Sequence, residues 1–159
     1  MGQSSRYVAS IKLLQRKINQ RFAEFSAIAP FVKVNGSFST SLTAAVKYFQ
    51  CAAFLPVTGI VDLVTWDFLL TGVDSLPILG PGSYGAMVWE IQIMLQHSGF
   101  PVRVSGVFSR SLVQQIKQYQ ALQGVKDNGV IDSATWAVLV QERMQLSRCY
   151  AWLHRLDAG

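Results

Sequence analysis

Two histidines, two cysteines and nine carboxylates carry whatever acid–base, nucleophilic or metal chemistry this chain could perform. Their spacing argues against all three. His97 stands at the end of a helical apolar stripe, where a cation complements the helix dipole, and His154 lies in an arginine-containing tail. Neither belongs to a His-x-x-x-Asp or His-Glu-x-x-His pattern, the spacings that set two zinc ligands on one face. Cys51 and Cys149 lie far apart in unrelated contexts, which reads as two buried, reduced small hydrophobes rather than a disulfide framework or a metal site. The acidic residues are scattered, so no carboxylate pair suited to glycan cleavage stands out. The expectation is a protein with no catalytic residue, no metal and no cofactor, whose chemistry is that of binding.

Binding candidates are polar residues on turns and helix starts, where a ligand can reach side chain and backbone together. They are Ser37, Ser39, Thr40, Arg103, Ser109, Arg110, Asn128 and Asp132. A second group, Tyr150, Trp152, Leu153 and Leu156, forms the apolar face of a C-terminal helical tail suited to a protein partner. With 50% hydrophobic and 14% charged residues, the 159-residue chain is too apolar for disorder. Its apolar stretches are nonetheless broken well short of the ~20 residues a membrane span requires. No leader is evident, so the expected location is the bacterial envelope if one was removed and the cytoplasm if the chain is complete. The net charge of +5 favours anionic partners in general. The one dense basic cluster, Lys12, Arg16, Lys17 and Arg21, recurs at helical spacing as a solvated face, and nucleic acid is not expected.

The elements that must position these residues occur twice. Gly36–Leu70 aligns without a gap on Gly106–Val140, pairing Gly36 with Gly106, Phe38 with Phe108, Ser39 with Ser109 and Gln50 with Gln120. The identities continue through Gly59 and Gly129, Asp62 and Asp132, Thr65 and Thr135, Trp66 and Trp136, and Leu69 and Leu139. Upstream, Tyr7, Ile11, Leu14, Gln15 and Ile18 match Tyr84, Val88, Ile91, Gln92 and Leu95. Each copy therefore predicts three helices. Apolar residues at steps of three and four define the first. The second starts at the capping residue Ser39 or Ser109, and a short third starts at Asp62 or Asp132. One tryptophan, Trp66 or Trp136, is expected to anchor each small core. Gln50 and Gln120 are expected to tie a helix end to the following turn.

Short extended pieces could pair as ribbons, Val32–Val34 with Val57–Val61 and Val102–Val104 with Val130–Ile131. The Gly- and Pro-containing stretch between the copies cannot be helical throughout. The expected organisation is module 1 over residues 1–73, a linker over 74–82, module 2 over 83–145 and the helical tail over 146–159.

A helix carrying Leu-Gln, a Gly-x-Phe turn, a helix ending in aromatic-Gln, a turn glycine and Thr-Trp-x-x-Leu together resemble the peptidoglycan-binding domain of bacterial cell-wall hydrolases. Here those parts are Ile11–Gln15, Gly36–Phe38, Phe49–Gln50, Gly59 and Thr65–Leu69. They recur as Val88–Gln92, Gly106–Phe108, Tyr119–Gln120, Gly129 and Thr135–Leu139. The chain departs from the usual pattern at Thr58 and Asn128, where Asp is common, and at Asp62 and Asp132, where Gly is common. The resemblance implies an all-α fold of two tandem three-helix modules with short turns or minimal β-ribbons. It also implies a non-catalytic binder of peptidoglycan or muropeptides, its two modules acting by avidity. The alternative is the same fold used as a protein–protein adaptor in an envelope, phage-tail-like or injection complex.

Overall fold

The computed structural model describes residues 2–25, 32–145, 149 and 151. Six α-helices and one short 3-10 helix make up its regular structure, with only isolated β-bridges among the described residues. The chain separates into two compact units. One comprises the residues up to Ser75 together with those from Val140 onward, and the other is Leu76–Leu139. The all-α architecture with two tandem modules follows the repeat read from the sequence.

In the first unit, α1 (Gly2–Phe25), α2 (Thr40–Ala52) and α3 (Leu63–Thr71) precede the 3-10 turn Gly72–Ser75. The α1 stripe buries Ile11, Leu14, Ile18 and Phe22, leaving only its first member, Tyr7, exposed. Leu42, Val46 and Phe49 answer from α2. Phe22 lies 4.5 Å from Phe49 and 5.2 Å from Tyr48, centroid to centroid, so the core centre is aromatic. Arg21, read as part of a solvated face, instead turns inward. Its Nε donates to the Leu69 carbonyl at 2.9 Å and a terminal nitrogen donates to the Leu70 carbonyl at 2.6 Å. The last turn of a helix leaves carbonyls without intrahelical partners, and a guanidinium with several donors satisfies two of them at once.

The end of the chain completes this unit. The Tyr48 hydroxyl donates to the Met144 carbonyl at 3.0 Å, and Arg143 donates to the Cys51 carbonyl at 2.7 Å while lying 4.1 Å above the Phe54 ring. Cys51 and Cys149 are joined by a disulfide, their Cα atoms 5.6 Å apart. This corrects the expectation of two reduced thiols. Their separation of 98 residues has no local signature, and only the return of the chain after α6 brings them together. Tyr150, Trp152, Leu153 and Leu156, the expected partner-binding residues, lie outside the described residues, as does His154.

In the second unit, α4 (Ala86–His97), α5 (Arg110–Gln123) and the start of α6 (Ser133–Met144) repeat the arrangement. Val88, Ile91, Leu95, Leu112, Ile116, Tyr119, Trp136 and Leu139 form its core. The segment before α4 is irregular, with a turn at Gly80–Ser83, and Leu76 and Leu79 in it are buried. Its bridges, Leu79 with Ile131 and Tyr84 with Val107, replace the ribbons expected from the sequence, which do not form among the described residues. Pro77, Gly80, Pro81 and Gly82 keep this segment out of a helix. The residues aligned with Leu79–Gly85 in the first unit, Gly2–Val8, contain no proline and are the first turns of α1.

Candidate functional site

Four buried glutamines fix the turns around which any site must be built. Gln15 accepts from the amides of Asn35 and Gly36 at 3.0 Å each and donates to the Ser37 carbonyl at 3.1 Å. Gln92 does the same for Ser105, Gly106 and Val107. Gln50 accepts from Thr58 and Gly59 and donates to the Ile60 carbonyl and the Thr65 hydroxyl. Gln120 accepts from Gly129 at 2.9 Å and donates to the Val130 carbonyl and the Thr65 counterpart, Thr135, at 2.8 Å each. A buried carboxamide has both donor and acceptor, so one side chain saturates both edges of a turn. The turn glycines are required as well. Gly129 has φ of +75°, and a Cβ placed there would sit 2.7 Å from a Val113 methyl.

The nominated polar residues largely serve the same scaffold. Ser39 and Ser109 accept from the amides of Leu42 and Leu112 and cap α2 and α5. Asp132 accepts from the Thr135 amide at 3.1 Å and from the Asn128 side chain at 2.9 Å, while Asn128 Oδ1 takes the Val130 amide and a Gln120 hydrogen. Burial works against the charge of Asp132, but the hydrogen bonds from Asn128 and Thr135 outweigh it and hold the carboxyl below its usual value. Hydrogen bonds from the Thr65 amide and hydroxyl lower Asp62 in the same way. Ser37, Thr40, Arg103 and Arg110 are exposed. The nominated residues thus fall in two places, a Ser37–Thr40 turn in the first unit and turn positions of the second.

A third feature was not nominated. An open groove of about 940 Å³ in the first unit is lined by Tyr7, Ile11, Leu14, Phe38, Ile60, Val61, Leu63 and Trp66, with Ser10 and Asp62 as its polar edge. Trp66 is only half-buried there, which corrects the expectation that it anchors the core as Trp136 does. Trp136 is fully buried, its indole N–H donating to the Pro77 carbonyl at 2.7 Å. One signal for the groove was present in the sequence. Around the α3 cap stand Leu63 and Val64, where the second copy has Ser133 and Ala134. Exposed apolar side chains at the start of a helix have no core to serve.

The helical stripes, the turn glutamines and the Thr-Trp pairs recur at the same positions in both units. The peptidoglycan binding domain family model matches residues 8–69 and again residues 84–139. The chain belongs to the peptidoglycan-binding domain family, in two tandem copies. No curated protein and no solved structure matches the chain. The family is described as a peptidoglycan-binding domain, and its two copies here share one scaffold. No helix among the described residues is long and apolar enough to cross a membrane, and no cluster of three metal-ligating side chains occurs among them.

Proposed function

We propose that this chain is a non-catalytic peptidoglycan-binding protein whose two modules, over residues 1–73 and 83–145, engage one polymer together. The observation that carries the reading is the double occurrence of the family's domain in a single chain. Linking two weak sites makes the second binding event intramolecular and raises retention on a polymer without any new contact. The exposed Arg103 and Arg110, within a chain of net charge +5, supply attraction for the carboxylates of stem peptides. Ser37, Ser39, Thr40, Ser109, Asn128 and Asp132 would contribute through the turns they shape. The Cys51–Cys149 disulfide supports an oxidising compartment, which is where the wall is met.

The test is co-sedimentation of the full chain with insoluble peptidoglycan, beside titration with soluble monomeric muropeptide. Retention on the polymer should exceed affinity for the monomer by ~100-fold or more, the lower end of the gain expected from two linked sites. It should fall as salt rises and with Arg103→Glu/Arg110→Glu. Equal, salt-independent behaviour toward polymer and monomer would remove the avidity mechanism. No retention at any ionic strength would leave the adaptor role as the use of this fold.

A further inference from the structure

The two copies of the domain differ in what covers the third helix. In the second unit, the irregular segment Leu76–Gly85, which turns at Gly80–Ser83, is held by backbone hydrogen bonds on either side of that turn. Leu79 and Ile131 exchange both backbone hydrogen bonds, at 3.1 and 2.8 Å. Gly82 donates to the Phe108 carbonyl, Phe108 to Ser83, and Gly85 to Gly106, at 2.8–3.1 Å. The Trp136 indole N–H adds a bond to the Pro77 carbonyl. Under this cover Phe108 is 2% exposed and Trp136 is 0% exposed.

The first unit presents the counterparts of these receiving groups, all but one of them without a covering segment among the described residues; the exception, Gly36, is buried beside Val8 of α1. Val61, Phe38, Gly36 and Trp66 align with Ile131, Phe108, Gly106 and Trp136. The backbone of Val61 and Phe38, the Gly36 carbonyl and the Trp66 indole N–H make no hydrogen bond to another described residue. Phe38 is 43% exposed and Leu63 is 80% exposed. The residues that align with Leu79–Gly85 are here the first turns of α1, which leave the groove open. An apolar trough edged by free backbone donors and acceptors suits an added strand, with main-chain pairing supplying affinity and side-chain pockets supplying selectivity.

We propose that this groove binds an extended apolar peptide segment of a partner protein, of the Leu-Pro-x-Leu kind that fills its counterpart. The bound segment pairs its backbone with Val61 and Phe38, accepts the Trp66 indole N–H at a carbonyl, and places leucine-type side chains where Leu76 and Leu79 lie in the second unit. A proline fits because it presets the extended backbone and its carbonyl still accepts. Neither Arg103 nor Arg110 lines the groove, whereas its Phe38 stands between Ser37 and Ser39, so soluble muropeptide is the competing occupant in the test.

The probe is a synthetic capped peptide with the sequence of residues 75–84, titrated into the full chain and followed by two-dimensional amide NMR. Saturable shifts are expected at the Val61 and Phe38 amides and the Trp66 indole N–H. Leu63→Glu, at an exposed position, should weaken binding about tenfold or more while leaving the melting temperature unchanged, as should aspartate in the peptide at the position of Leu79. Absence of saturable shifts at these three groups would overturn the proposal, as would binding indifferent to both substitutions. Shifts produced by soluble muropeptide and not by the peptide would overturn it too and assign the groove to the wall.

Discussion

Trp66 and Trp136 occupy the same place in the repeat and different environments, so replacing each by alanine separates what the motif requires from what the packing supplies. A fully buried tryptophan removes some 150–250 Å² from water, and its truncation costs ~3–5 kcal/mol once the cavity is included. Trp136→Ala also strands the Pro77 carbonyl at the lost 2.7 Å hydrogen bond, a further ~1 kcal/mol. The expected loss is about 4–6 kcal/mol, a large share of the stability of so small a unit. Trp66 is half-buried and its indole N–H has no partner among the described residues, so only the burial contribution applies, at about half its full size. At ~25 cal/mol per Å² over half of that area, Trp66→Ala should cost about 2–3 kcal/mol. Urea unfolding of both variants, followed by far-ultraviolet circular dichroism, measures the difference. Equal destabilisation by the two would refute the reasoning, since it would mean that the groove beside Trp66 is closed in solution.

Gln120→Leu keeps the volume but leaves the buried Gly129 amide and the Val130 carbonyl without their partner, and should lower stability by about 2–4 kcal/mol in the same assay. Cys51→Ser/Cys149→Ser should lower the melting temperature, the disulfide being worth about 2–4 kcal/mol, and thiol titration of the unreduced, denatured parent should find no free sulfhydryl. Asp62 and Asp132 have folded-state values below the ordinary 3.8, so their contribution is complete above that pH and is lost as the pH falls below it through the folded values. Asp62→Asn/Asp132→Asn, which keeps a capping side chain without the charge, should therefore lower stability at neutral pH and flatten the acid limb of the melting profile. A profile as steep as the parent's would place the acid sensitivity elsewhere.

What the sequence determined by itself is whatever recurs and is local. The helices follow from apolar residues at steps of three and four, and their starts from Ser39, Ser109, Asp62 and Asp132, each of which caps as its type dictates. The turn function of Gln50 and Gln120 was legible for the same reason, because a helix end and the next turn are separated by only a few residues. What only the tertiary structure decided involves partners far apart in the chain. The covalent pairing of Cys51 with Cys149 spans 98 residues, and Arg21 reaches carbonyls beyond residue 68, so no spacing announces either. Trp66 and Trp136 share a motif, yet one faces an open groove and the other lies under Pro77. The cause is in a segment outside the aligned Gly36–Leu70 core. Prolines and glycines keep 76–85 of the second module out of a helix, while the residues Gly2–Val8 of the first, aligned with 79–85, contain no proline and are helical. A repeat thus specifies two like scaffolds, and the backbone preferences of the residues flanking it decide which of them is left with a surface to fill.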